Sequence, residues 1–127
     1  MSTYKVIILG QLPGANETTA ANRTHWAVGA KQKKELTEYI EWLIRAQIKH
    51  QIGKAIYSFT WHEQNKRRDP DNIASAHKIF FDAMQAAGCI KNDGWNEVAE
   101  LHDYFVVDPG NQKVEIVITE LEPRYQR

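Results

Sequence analysis

Near the end of the chain Val114, Ile116 and Ile118 alternate with Glu115, Val117 and Thr119. Such alternation suits a strand in a sheet with one better-buried face, because successive strand side chains point to opposite sides. Two other segments carry the helical period instead. Leu36, Ile40, Leu43, Ile44 and Ile48 predict a helix over about Gln32–His50, stopped by Gly53. Ile73, Ala76, Phe80, Ala83, Met84 and Ala87 form the core stripe of a second helix, about Asn72–Ala87, closed by Gly88. Tyr4–Leu9 and Lys54–Glu63 read as strands. Asp103–Val107 and Lys113–Leu121 read as two final strands joined around Pro109-Gly110-Asn111. Gly10–Gly29 is polar and reads as a long loop, and loops beyond about 15 residues in compact domains usually carry function or disorder. The order β-loop-α-β-α-β-β predicts an α+β fold, a two-layer arrangement of one mixed sheet and two main helices. At 127 residues the whole chain, 1–127, is expected to form a single domain.

Composition narrows the function classes. No apolar stretch reaches the roughly 20 residues needed to span a bilayer, and no secretory signal is expected ahead of the first strand. Cys89 is the only cysteine, so an internal disulfide is excluded and a reducing, cytoplasmic setting is expected. The sequons at Asn16 and Asn22 then carry no meaning. Sixteen basic and sixteen acidic residues balance to a net charge of zero. That argues against a strongly basic general nucleic-acid binder but leaves room for a local basic patch.

The densest chemistry lies in Lys66-Arg67-Arg68-Asp69-Pro70-Asp71-Asn72. Two close carboxylates repel unless something compensates. Mg²⁺ is a suitable partner, since it binds through one or two carboxylates plus phosphate oxygens. The adjoining cations suit an anionic polymer. Pro70 favours an extended Asp69, and alternate residues of an extended segment face the same way, so both acids could face one cation. The plain alternative is a charged turn in which Asp71 or Asn72 caps the next helix. On that helix Ser75, Lys78 and Asp82 fall opposite the core stripe, in line with Asp71. Lys78 is then either a solvated lysine or a cation placed to stabilise charge on a phosphate. His77 sits at the stripe's margin and reads as half-buried. Asp93, before Gly94, is a turn former unless the fold returns it to the Asp69–Asp71 end. That return looks tight: a 16-residue helix is about 24 Å long, whereas Gly88–Asp93 spans at most about 20–22 Å.

Competing motifs fail on spacing. An EF-hand starting at Asp69 needs Gly and Glu where Ala74 and Phe80 stand. Gly10–Gly14 lacks the Gly-Lys-Ser/Thr of a P-loop. The His residues and Cys89 are too scattered for zinc, and Cys89 reads as a small apolar filler.

Arg67-Arg68-Asp69-Pro70-Asp71-Asn72-Ile73, then Lys78-Ile79-Phe80-Phe81-Asp82-Ala83-Met84, then Ala87-Gly88-Cys89-Ile90-Lys91-Asn92-Asp93 together resemble the RusA-type Holliday junction resolvases. Leu12–Asn16 with Asn22-Arg23 resembles that family's N-terminal loop, and Val114–Leu121 its last strand. The resemblance therefore spans nearly the whole chain. It implies a structure-selective endonuclease in which Asp69, Asp71 and Asp93 bind Mg²⁺, with Mn²⁺ as a possible substitute, and Lys78 assists. It further implies a homodimer, cytoplasmic and bacterial or phage-encoded, that nicks two strands of a four-way DNA junction. One departure stands out: the family often carries its lysine four residues after the second motif aspartate, where this chain has Ser75. Counting back from Asp82, Lys78 takes that place. Lys66, Arg67 and Arg68 are expected to grip the DNA backbone. Arg23, Lys31, Lys33 and Lys34 are expected to form a second contact zone. Two alternatives of different scope are a junction-binding module without catalysis and a nuclease preferring other branched DNA.

Overall fold

The computed structural model describes residues 2–17 and 26–122. Its elements are β1 (Thr3–Leu9), α1 (Trp26–Gln47), β2 (Lys54–Glu63), α2 (Pro70–Ala74), α3 (His77–Ala86), β3 (Val98–Val107) and β4 (Lys113–Glu122). The four strands form one mixed sheet in the order β1-β4-β2-β3. β4 runs antiparallel to both β1 and β2, while β3 lies parallel to β2. The α+β expectation therefore holds. The last two strands follow each other in sequence yet do not pair, because β2 lies between them.

Alternation sorts the two faces of this sheet. Val6 and Ile8, Val114, Ile116 and Ile118, and Ala55, Tyr57, Phe59 and Trp61 are all buried on the same side. The helices supply Ile40, Ile44, Phe80, Phe81 and Met84 to that core, and Ile48 joins it just past α1. Phe59 stacks on Trp61 at 5.5 Å between ring centroids and meets Phe80 edge-on at 5.4 Å, a geometry that aromatic quadrupoles favour. Aromatic packing thus seats α3 firmly on β2.

Two elements depart from the sequence reading by three residues or more. α1 starts at Trp26 rather than Gln32 and ends at Gln47. Gly29 lengthens the apparent loop, but an isolated glycine costs a helix only about 1 kcal/mol and is tolerated. β3 starts at Val98 rather than Asp103; residues 98–102 lack alternation and are held as a strand by the ladder to β2.

The second helix is two helices, α2 and α3, parted at Ser75 and Ala76. The Ser75 hydroxyl donates to the Asn72 carbonyl at 2.5 Å and accepts the Ala15 N–H at 2.8 Å. Serine competes for backbone groups in this way and loosens a regular helix. The Ala76 N–H bonds to Ile73, a tighter turn than the α-helical one. The apolar stripe survives the break, since Ile73, Ala76, Phe80, Ala83 and Met84 are all buried. Gly88, at φ +75°, ends α3 as expected.

Candidate active site

Asp69 and Asp71 lie where β2's extension becomes α2. Asp69 is the N-cap residue, extended at φ −73° and ψ 149°, as a residue before proline should be. Its carboxylate makes no capping hydrogen bond. Asp71 already lies in the first helical turn, where its Oδ1 accepts the Asn72 N–H at 3.0 Å. Capping by Asp71 or Asn72 is thus replaced by an N-cap at Asp69. The extended alternation that would aim both acids one way holds for Asp69 alone, because the helix begins between them. Both side chains are exposed.

Asp93 returns to the exposed face of α3 within its own chain. Its Oδ2 lies 3.4 Å from Lys78 Nζ, and the same ammonium lies 3.0 Å from Asp82 Oδ1. Hydrogen bonding and charge from Asp82 first, then from Asp93, push the Lys78 pKa up. The helix breaks, and Asp93 comes back to Lys78 near the start of α3, a nearer target than the Asp69–Asp71 end that the length estimate concerned. From Ala86 back to Lys78 is about 12 Å at 1.5 Å per residue, within reach of the intervening loop. Asp82 carried no assigned role in the sequence reading. Its i,i+4 spacing from Lys78 was the signal that could have found it.

The donor chemistry suits a hard cation in part. Two carboxylates already converge on one positive charge at Lys78, and Mg²⁺ needs few protein oxygens when phosphate and water complete its shell. Asp69 and Asp71 do not join that pair in one cage. Among the described residues, no group of three or more His, Cys, Asp or Glu is arranged to hold a metal ion.

The basic run divides. Lys66 and Arg67 are exposed, whereas Arg68 is drawn inward, with its side chain 14% exposed. Arg68 Nε and Nη2 donate to Glu63 at 3.0–3.2 Å, and Nη1 donates to the Leu12 carbonyl at 2.9 Å and Glu17 Oε1 at 2.8 Å. A guanidinium has five N–H donors, and all three of its nitrogens donate within this network. The expectation that Arg68 grips DNA therefore meets a geometric obstacle that Lys66 and Arg67 do not. Beside this network lies a polar cleft of about 350 Å³, whose lining includes Arg67, Gln64 and Gln112. On α1, Lys33 and Lys34 are exposed and Lys31 pairs loosely with Glu35 at 3.9 Å. Arg23 lies outside the described residues.

His77 is half-buried, as expected, and its Nε2 lies 2.7 Å from Asp103 Oδ1, which also accepts the Trp61 indole N–H at 2.8 Å. This pair pins the start of α3 to β3 and so fixes the helix that carries Lys78. Compared with known families and with curated proteins, the chain matches no family model and no curated protein.

Proposed function

We propose that the protein is a Mg²⁺-dependent, structure-selective endodeoxyribonuclease of the RusA-like kind, resolving four-way DNA junctions in recombination and repair. The observation that supports it most is the return of Asp93 onto Lys78 at the solvent face of α3. That contact gives spatial meaning to a motif spacing otherwise only counted along the chain. Asp69, Asp71 and Asp93 are the acids this reading assigns to the ion, with Asp69 and Asp71 standing apart from the Asp93–Lys78 pair. When bound, Mg²⁺ or Mn²⁺ supplies an activated water and offsets charge on the scissile phosphate.

Lys78 is held charged by two carboxylates. It therefore acts as a fixed positive charge near the phosphate and not as a proton-abstracting base. Lys66 and Arg67 take the DNA backbone, with Lys31, Lys33, Lys34 and Arg23 as a second zone. These contacts give salt dependence and little sequence information.

A homodimer suits a substrate with two equivalent scissile strands, and the exposed edge of β3 supports that reading. The edge strand β3 exposes Leu101, Tyr104, Phe105, Val106 and Val107, and a bare apolar edge invites pairing with another strand. The opposite edge is closed differently: the Gln47 carboxamide bonds both the N–H and the carbonyl of Ile7 on β1. No helix among the described residues is long and apolar enough to cross a membrane, and we place the protein in a bacterial or phage-infected cytoplasm.

A synthetic four-way junction in Mg²⁺, run beside flaps and forks, tests the reading: paired nicking of the junction that Asp69→Asn abolishes is expected. Nicking confined to flaps would move the substrate class. Binding without nicking, unchanged by Asp69→Asn, would favour a junction-binding module, the alternative that the zero net charge and Ser75 at the lysine position motivate. Mixing Asp71→Asn with Asp93→Asn protomers locates the third acid. Because Asp93 meets its own chain's Lys78, no restored activity is expected in the heterodimer, while one restored centre would mean a shared site.

A further inference from the structure

We infer that Arg68 is a positioning residue: with Glu17 and Asn72 it locks the segment 12–17 onto the segment carrying Asp69 and Asp71, and it does not touch DNA. This rests on the proposed nuclease reading only for what the segment does, not for how it is held.

The lock is built from both sides of the acid pair. Arg68, just before Asp69, reaches the Leu12 carbonyl and Glu17. Asn72, just after Asp71, is buried; its amide nitrogen donates to Glu17 Oε2 at 2.7 Å and its Oδ1 accepts the Asn16 N–H at 3.0 Å. Glu17 also accepts the Gly14 N–H at 2.9 Å. Burial works against its charge, yet the bonds from Gly14, Arg68 and Asn72 win and hold its pKa below the usual value. The Ala15 N–H reaches the Ser75 hydroxyl, so the position where the resembled family carries lysine serves here to fasten the loop.

Gly14 shows how closely the two chains approach. A Cβ there would collide with the Asn72 carbonyl and lie 2.5 Å from its Oδ1. No side chain fits between loop and acid segment. The guanidinium cannot grip a phosphate with two N–H groups without surrendering Glu63 or Glu17. Glu63 is itself buried and would be left as an unpaired charge. Lys66 and Arg67 bear no such constraint, so the DNA grip falls to them.

The test compares Arg68→Gln, Arg67→Gln and Gly14→Ala in the full chain, below each variant's unfolding temperature. Junction affinity is measured across a salt series without divalent metal, and single-turnover nicking is measured in Mg²⁺ at saturating junction. Loss of a phosphate contact lowers the slope of log affinity against log salt by about 0.9, and Arg67→Gln is expected to do so. Arg68→Gln should leave the slope unchanged and slow nicking on the order of 10–100-fold, the usual cost of a lost supporting contact. Gly14→Ala, which alters no charge, should give the same split, and both variants should speed hydrogen exchange at the Asn16 amide. A slope reduced by Arg68→Gln as much as by Arg67→Gln overturns the inference, as does wild-type nicking in both Arg68→Gln and Gly14→Ala. If the wild-type protein binds junctions without nicking them, the nuclease reading fails separately. The salt slope and the Asn16 exchange then still decide whether Arg68 holds the loop or the DNA.

Discussion

Two ionic clusters border the same stretch of chain and follow opposite plans. Around Arg68 the charges are withdrawn from water, with side chains 14% exposed for Arg68 and 9% for Glu63, and each guanidinium nitrogen donates to a protein oxygen. Around Lys78 the lysine is 66% exposed and each carboxylate meets it through one oxygen. Desolvation makes the first arrangement costly to break, because removing one partner strands a buried charge. Screening makes the second cheap to open, so its acids can exchange one cation for another. A dry, tightly bonded cluster holds a shape; a wet, loosely paired one can do chemistry.

The sharpest way to break this contrast is Arg68→Ala, expected to cost about 3–5 kcal/mol because it strands Glu63. Urea unfolding measures it, and a loss below 1 kcal/mol would place Arg68 among ordinary surface charges. Asp93→Asn should do the reverse: nicking of a four-way junction falls roughly 10²–10³-fold, while the urea midpoint stays where it was. Lys78→Ala should change stability by at most about 1 kcal/mol and slow nicking less than Asp93→Asn does. A larger stability loss would show that the Lys78 cluster is structural after all.

The smallest effect is a pH dependence. The Glu17 pKa is lowered in the folded state from 4.5, so its contribution is present above 4.5 and is lost as pH falls toward the lower folded value. Thermal melts from pH 6 down should therefore show Glu17→Gln losing less stability than wild type in that acid range. Equal slopes would mean that the Glu17 bonds add nothing to the lock.

Local physics was readable wherever a single period dominated. β2 falls on Lys54–Glu63 as expected, and Gly88 stops α3 where a left-handed residue was needed. The extended Asp69 before Pro70 was equally plain. The split at Ser75 was not, because the apolar stripe runs through it unchanged; only the Ala15 N–H arriving from a distant loop makes the serine a fastener. Val98–His102 escaped notice for a similar reason, since a parallel neighbour and not its own pattern holds it as a strand.

Charge told least of all. Lys66, Arg67 and Arg68 are near equivalents in sequence, and local order cannot say which cation meets Glu63 and Glu17. By itself the sequence determined the element types, the buried face of β4 and the presence of acids beside cations, because those follow from backbone period and residue chemistry. The tertiary structure decided that Arg68 turns inward while Arg67 stays in water, and that Asp93 comes home to Lys78. Both outcomes depend on contacts between residues far apart in the chain, and loop paths, not local preference, bring those residues together.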